Sequence, residues 1–498
     1  MSIHRFTVLI VLAGVVSSLS PSLSRSRAQA PPGFEVDSDM QPVAEGDDAA
    51  ARALRSLYVP NGLSSDQAMA RVVDVSPAIE RTSALLLQAK GGALQAMSGL
   101  VPQLELVARY SRLNPVEQAG LTTGSDFDFQ GLISQLQDPA AQQLWTGLAT
   151  YEFPVLTQQI DFTAALTYSF TGSLAQALPA YRAAQKSKIA AQYQIEAENN
   201  NVAFDARQAY YDYARAEAGL AVAKFALEAA VSQRAETEAL VNAGSAARVD
   251  LLRVQAQEEA ARVAVEQANL GLQVAARALQ ALMLTDEPPS LGEDLSEPVT
   301  GIPTGTEDEL QQRASQHRPD LLALRKYIEV TEHQLRSANG GRAPDLLLRA
   351  GAEYSNPNLR VVPQQDRFIA TWEVSAAIRW VPNDTINAQG RSRQLQGDLQ
   401  QAYADVTILE QNVRVQVAEG YHGIEAAQKA MESARLGLAA AREGYRVTRE
   451  QLQAGIVNTT TLLQAQSELI RAQVDVVDSA IGLRIAKAQL LRAIGERP

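Results

Sequence analysis

The step from Pro77 to Pro102 equals the step from Pro319 to Pro344, and adding 242 to the numbers of the first pair gives the second. The chain therefore contains itself twice, and its fold must use the same half two times. Each half opens on the same signal: Ser64-x-x-Gln67 and Thr306-x-x-Glu309, again 242 apart, are capping boxes. In each, the hydroxyl accepts a backbone N–H while the Gln or Glu reaches back to the cap. A helix is expected after each, through Leu85, Leu86 and Ala89 in one copy and Leu324, Ile328 and Leu335 in the other. Pro77 and Pro319 fall inside these segments and should kink them or divide a short helix from a longer one. Pro102 and Pro344 mark where helix should give way to strand.

A second offset follows. The step from Tyr210 to Gly244 equals the step from Tyr421 to Gly455, and here the two pairs are 211 apart. The drop from 242 to 211 means that the first copy holds extra sequence between Pro102 and Tyr210. Most of it lies in 113–157, where Asn114-Pro115, Thr123-Gly124 and Asp138-Pro139 signal turns and a loop. The expected division is a lead-in over 31–60, a first repeat over 61–284, a second over 307–498, and between them a linker over 285–306 carrying Pro288, Pro289, Pro298 and Pro303.

Residues 1–30 have the form of a secretory signal peptide: a basic start at Met1 to Arg5, a short apolar run from Phe6 to Val16, and the cleavage pattern Ala28-Gln29-Ala30. A membrane anchor is the competing reading, but no stop-transfer pattern follows. Removing this leader and its three arginines takes the formal charge from −12 to −15. That balance argues against nucleic acid as a partner. The absence of cysteine rules out disulfides, cysteine metal or redox sites, and lipid attachment to a processed N-terminal cysteine. After position 30 no apolar stretch reaches the length that a membrane-spanning helix needs, so a mature chain that meets a membrane must do so with strands.

From about Leu395 to Gln453 only isolated glycines interrupt a helical pattern. Val417, Ile424, Met431, Leu438, Tyr445 and Leu452 recur at every seventh position, each of the first five followed three later by Gly420, Ala427, Ala434, Ala441 and Thr448. Large and small residues alternate in one a/d seam. The first copy, 211 positions earlier, repeats it with Ala206, Tyr213, Leu220, Leu227, Arg234 and Val241 against Ala209, Ala216, Ala223, Ala230 and Thr237; Arg234 is the misfit. A helix of about 65 residues would be about 100 Å long. Helix periodicity alone favours an ordinary coiled-coil rod.

The strands change the balance. Ile160, Phe162, Ala164, Leu166, Tyr168 and Phe170 alternate with Asp161, Thr163, Ala165, Thr167 and Ser169. Phe368, Ala370, Trp372, Val374, Ala376, Ile378 and Trp380 alternate with Arg367, Ile369, Thr371, Glu373, Ser375, Ala377 and Arg379. Weaker versions follow the repeat prolines, with Leu104, Leu106, Ala108 and Tyr110 in one copy and Leu346, Leu348, Ala350, Ala352 and Tyr354 in the other. Period-two patterning of this length suits a transmembrane strand, with one row toward lipid and the charged row toward water. Tyr168, Phe170, Phe368 and Trp380 near strand ends suit interfacial aromatics. A half-buried soluble sheet shares the alternation. Four strands cannot close a barrel and open edges are not tolerated in lipid, so on the membrane reading several chains must share one barrel.

With helix, proline, strand, strand, long helix and helix repeated in order, and with the turns Asn242-Ala243-Gly244-Ser245-Ala246-Ala247-Arg248-Val249-Asp250-Leu251-Leu252 and Gln453-Ala454-Gly455-Ile456-Val457-Asn458-Thr459-Thr460-Thr461-Leu462-Leu463, the chain resembles the TolC-like outer-membrane efflux proteins over about residues 60–495. The resemblance implies a mainly α fold with a small β part: a long-helix coiled-coil α-barrel plus four transmembrane strands per chain, giving a 12-stranded β-barrel in a homotrimer. It implies an outer-membrane duct reaching into the periplasm, served by a periplasmic adaptor and an inner-membrane transporter, as in efflux pumps and type I secretion. Residues 113–157 would then be extracellular. The two turns would form the periplasmic gate, with Gly244, Arg248 and Asp250 on one and Gly455, Thr461 and Gln464 on the other. Asp250 resembles the family's acidic tip position, where three copies would favour cations, and Arg248 could pair with it. Asp250 could equally be a helix N-cap. Thr461 and Gln464 stand where other members carry aspartates, and Val457 where an arginine can serve the closed state, so this gate is expected to be less charged.

No catalytic motif, phosphate cradle or dinucleotide fingerprint is present. His317, His333 and His422 are far apart, and acidic pairs such as Glu258-Glu259 are expected to be solvated. No cofactor or metal and no enzyme activity are expected. The competing function is a secreted periplasmic or surface coiled-coil interaction protein without channel activity.

Overall fold

A computed structural model describes residues 58–114, 129–149, 156–362 and 364–498. The expected signal peptide, most of the lead-in and parts of 113–157 lie outside the described residues.

Both capping boxes form. Ser64 and Thr306 accept from the N–H groups of Gln67 and Glu309, whose side chains return the bond. They open α1 (Ser65–Val75) in the first copy, and its counterpart Glu307–His317 in the second. Pro77 divides rather than kinks: it opens α2 (Pro77–Ser98) at the first turn, where its missing N–H costs nothing. Pro319 does the same for Pro319–Gly340.

After α2 come β1 (Gln103–Arg112), two short helices α3 (Phe129–Ser134) and α4 (Pro139–Ala149), and β2 (Gln158–Ser169). The insertion expected as loop therefore carries helices in its described part. A helical turn at Phe170–Gly172 and a π-turn at Ser173–Ala177 lead into α5 (Leu178–Asn242), which pairs with α6 (Arg248–Met283). The second copy gives α7 (Glu307–His317), α8 (Pro319–Gly340), β3 (Asp345–Asn356), β4 (Ile369–Arg379), α9 (Pro382–Gln453) and α10 (Thr459–Ile494). At 65 and 72 residues, α5 and α9 run about 100 and 110 Å.

Two cores sit where each short first helix packs on the long helices. They match position by position through the two sequence offsets. Ala68 and Val72 correspond to Leu310 and Ala314; Val202, Ala206, Leu279 and Met283 correspond to Val413, Val417, Leu490 and Ile494, and all are buried. The linker is a strap rather than a spacer. Leu291 and Leu295 are buried in the first core, the Val59 and Gly292 N–H groups bond Leu291 and Leu63 carbonyls, and Arg484 of α10 binds Glu293 and the carbonyls of Asp294 and Glu297.

The strands form one antiparallel sheet in the order β1-β2-β3-β4, so the two copies join at β2–β3. At the helix-to-strand boundary, side-chain hydroxyls tie the π-turn to the ends of α2 and α8. Ser337 Oγ donates to the Gln176 carbonyl (2.8 Å) and Ser173 Oγ to the Gly99 carbonyl (3.1 Å). Gly340 lets α8 approach this turn, because a Cβ there would lie 2.1 Å from the Ala175 carbonyl oxygen. Asp345, the first residue of β3, accepts from Ser169 Oγ and the Gly172 N–H.

Candidate functional site

The register settles which side chains share a face. Phe162 is opposite Ala108 and Tyr354, Ala164 opposite Leu106 and Ala352, and Leu166 opposite Leu104 and Ala350. Ala352 in turn faces Trp372, Ala350 faces Val374, and Leu346 faces Ile378. Ile160 and Tyr168 fall in the same row, opposite Tyr110 and Leu348. This face is apolar across all four strands and uncovered: Leu106, Trp372, Val374 and Ile378 are 72%, 77%, 72% and 77% exposed.

The other face is polar and partly shielded, with Asp161 only 4% exposed and paired to Arg109 at 3.3 Å. Glu353, Arg349 and Glu373 lie there too, with Arg349 and Glu373 in contact at 3.6 Å.

Three residues expected in this row lie just beyond the strands. Phe170 opens the helical turn after β2, Phe368 precedes β4 and Trp380 follows it. Alternation in sequence runs one residue past the last ladder pair because Ser169 turns to hold Asp345. Phe368 still packs on the apolar side, 5.0 Å from Tyr354 and 6.4 Å from Phe162, ring to ring.

At the opposite end of the helices, both hairpins turn in the same way. Gly244 (φ +73°) and Gly455 (φ +71°) close α5 and α9. Their N–H groups bond Val241 and Leu452 carbonyls, and those of Ser245 and Ile456 bond Leu240 and Gln451. This is the Schellman arrangement, which needs a left-handed residue at the glycine.

The next helix starts differ. Asn458 caps α10, accepting from Thr461 N–H and Oγ, both at 3.0 Å. In the first turn the cap position is Ala247, extended and without a side-chain acceptor. Asp250 is therefore not the N-cap. It sits in the first turn of α6, and its own N–H bonds the Ala247 carbonyl.

Nor does Asp250 pair with Arg248. Residues two apart on a helix point to different sides, whereas three apart they are neighbours, and Arg253 is the partner at 3.4 Å. Arg253 also donates to Thr460 Oγ1 of α10 at 3.2 Å, so the two turns meet through it. Thr461 is occupied by the cap, and Gln464 is exposed one turn along. Further ties between the hairpins are Arg449–Glu236 at 3.3 Å and Arg215–Asp478 at 3.1 Å.

The misfit Arg234 has a role that the sequence pattern did not reveal. It donates to Glu258 of α6 at 3.2 Å, and Arg262 holds the other carboxylate oxygen. Glu258 is only 2% exposed, contrary to the solvated position expected for it, and the Arg262 and Arg234 guanidiniums hold its carboxyl below the usual range. The available signal was symmetry: 234 and 258 are equally far from Ala246, the middle of the turn.

Among the described residues no helix is long and apolar enough to cross a membrane, and no group of three His, Cys, Asp or Glu side chains could hold a metal ion.

Long hairpins continuous with a small sheet, apolar on one face and polar on the other, define the fold of outer-membrane channel proteins. A membrane protein from Pseudomonas aeruginosa matches with TM-score 0.70 at 19% identity, over 93% of this chain and 97% of that one. The CmeC outer membrane channel of Campylobacter jejuni matches with TM-score 0.68 at 15% identity, over 96% and 95%. In sequence, residues 310–496 match the family described as "Outer membrane efflux protein". The outer membrane efflux protein BepC of Brucella suis is 23% identical over 320 residues, 63% of this chain and 67% of that protein. The chain thus shares its fold with outer-membrane channel structures, and its residues 310–496 match the outer membrane efflux protein family.

Proposed function

We propose that this chain is one third of a passive export duct, a homotrimer that receives cargo from an inner-membrane transporter through a periplasmic adaptor. The observation that carries this is the sheet. It presents an uncovered apolar face on every strand, a charged face behind it, and free edges at β1 and β4. In lipid such edges must be paired. Three copies, each joining β4 to the next copy's β1, would keep every neighbour antiparallel and give the 12 strands implied by the resemblance. The aromatic and aliphatic row from Ile160 to Trp380 would face outer-membrane lipid. The turns at Gly244 and Gly455 would form the periplasmic tip, where Arg253 ties Asp250 to the second hairpin.

The test is to fractionate cells expressing the chain, crosslink the outer membrane and size the product. A membrane-borne trimer is expected. Recovery as a soluble periplasmic monomer or dimer would overturn the duct and favour a coiled-coil interaction protein.

A further inference from the structure

The connection from β3 to β4 does not stand clear of the sheet. It folds back over the polar face. Asn358 is fully buried, its Nδ2 donating to the Ile369 carbonyl (3.0 Å) and Thr371 Oγ1 (3.3 Å), and its Oδ1 accepting the Arg360 N–H (3.0 Å). The Arg360 guanidinium lies beside Trp372 and Glu373, donating to the Trp372 carbonyl (3.3 Å) and to the Glu373 carboxylate, which Arg349 of β3 also holds. Glu373 is the fifth residue of β4, about 13 Å from its start at roughly 3.3 Å per residue. Phe368 meanwhile packs on the opposite, apolar face against Tyr354. The connection is thus clamped from both sides of the sheet. Beside these clamps it presents Leu359 and Val362, 57% and 80% exposed, as apolar groups.

We propose that residues 357–362 form a lip that narrows the outer mouth of the channel, pinned by Arg360 to Glu373 and carrying Leu359 and Val362 as an apolar constriction. This rests on the trimeric duct, in which the polar face lines the lumen and the end remote from the helices opens outside. Three such lips around one axis bring six apolar side chains to the exit. An apolar constriction resists hydrated ions by dewetting, while an apolar or amphiphilic solute can displace water there. The lip therefore acts on selectivity at the exit, at the far end of the channel from the helical tip. Arg360 and Glu373 are positioning residues in this device, holding the lip against the wall.

The chain has no cysteine, so a single introduced thiol reports cleanly. Val362→Cys and, on the apolar face, Ala376→Cys are incorporated as purified channels in planar bilayers and treated from the outer side with a bulky, membrane-impermeant thiosulfonate. Current through Val362→Cys is expected to fall on modification, and current through Ala376→Cys to stay unchanged. Adding Arg360→Ala to Val362→Cys is expected to raise the starting conductance and weaken the block, because the lip is no longer pinned. A Val362→Cys thiol that is modified, as read by mass, without loss of current would overturn the proposal. So would a thiol that stays unmodified in the channel yet reacts once the protein is denatured. Failure of the unsubstituted protein to form any channel would instead overturn the duct reading beneath it.

Discussion

Glu258 on α6 accepts a hydrogen bond from Arg234 on α5 at 3.2 Å, across the seam of the first hairpin, with its side chain almost out of reach of water. The equivalent positions, 211 further on, are Leu469 and Tyr445, so the second hairpin carries no ion pair there. Glu258→Gln should lower the melting temperature at neutral pH. The native carboxyl titrates below its unfolded value, so its stabilisation is complete above the unfolded range, near pH 4.5, and is lost as pH falls through the lower native value. The difference between the parent and Glu258→Gln should therefore shrink in acid. Arg234→Tyr with Glu258→Leu should recover most of the loss at pH 7, since a buried ion pair can be replaced by packed apolar groups. Thermal melts in detergent at the two pH values read both.

Gly340 and Gly244 should fail for different reasons. Alanine at 340 drives a methyl into the Ala175 carbonyl, and overpacking of this kind costs about 1–3 kcal/mol. Alanine at 244 meets no neighbour but must hold φ near +73°, a strain of about 1–2 kcal/mol. Hydrogen exchange should place the first loss at the strand junction and the second at the α5–α6 turn.

The caps of the two tips are unequal, and the inequality is testable in both directions. Asn458→Ala should destabilise the start of α10 by about 1 kcal/mol, whereas Ala247→Asn should stabilise the start of α6 by a similar amount. Amide protection in the first turn of each helix is the readout.

The two faces of β4 should tolerate charge differently. In lipid, Trp372→Arg should cost about 2–4 kcal/mol if the position lies near the midplane, while Ser375→Arg on the polar face should cost little. The yield of folded protein in lipid vesicles separates them. Equal tolerance would remove the lipid assignment.

At the tip, Arg253→Ala removes the contact of Asp250 with Arg253 and of α6 with Thr460 together. Single-channel conductance should rise, and more so with Arg449→Ala, which frees Glu236. Asp250→Ala should shift the reversal potential in a salt gradient away from cations. An unchanged potential would leave Asp250 only the task of orienting Arg253.

What the sequence disclosed follows periodicity. Val417 and Ala206, Ile424 and Tyr213 stand in the core because the seven-residue and repeat spacings left them nowhere else to go. Ile160, Phe162 and Trp372 share a face because side chains alternate along a strand. What stayed hidden depends on contacts between elements. Arg253 looks like any exposed arginine until the second hairpin brings Thr460 beside it. Asp250 resembles a cap because carboxylates favour caps, but the Schellman turn at Gly244 sets the helix start at Arg248 and gives the cap position to an alanine. Arg360 carries no pattern at all, since its place on the polar face follows from the path of an irregular connection.

The sheet order has one more consequence. The internal seam, β2 to β3, joins a first-half strand to a second-half strand, and the free edges β1 and β4 are likewise one from each half. On ring closure, the joints between chains would be of the same kind as the joints within them, six quasi-equivalent seams of which only three are covalently connected. A pair of chains would still have two bare edges, as many as a single chain. Pairing two chains would cover two of their four edges, whereas adding the third covers all four that remain, so the closing step gains most in lipid and insertion should depend steeply on subunit concentration, with little dimer along the way.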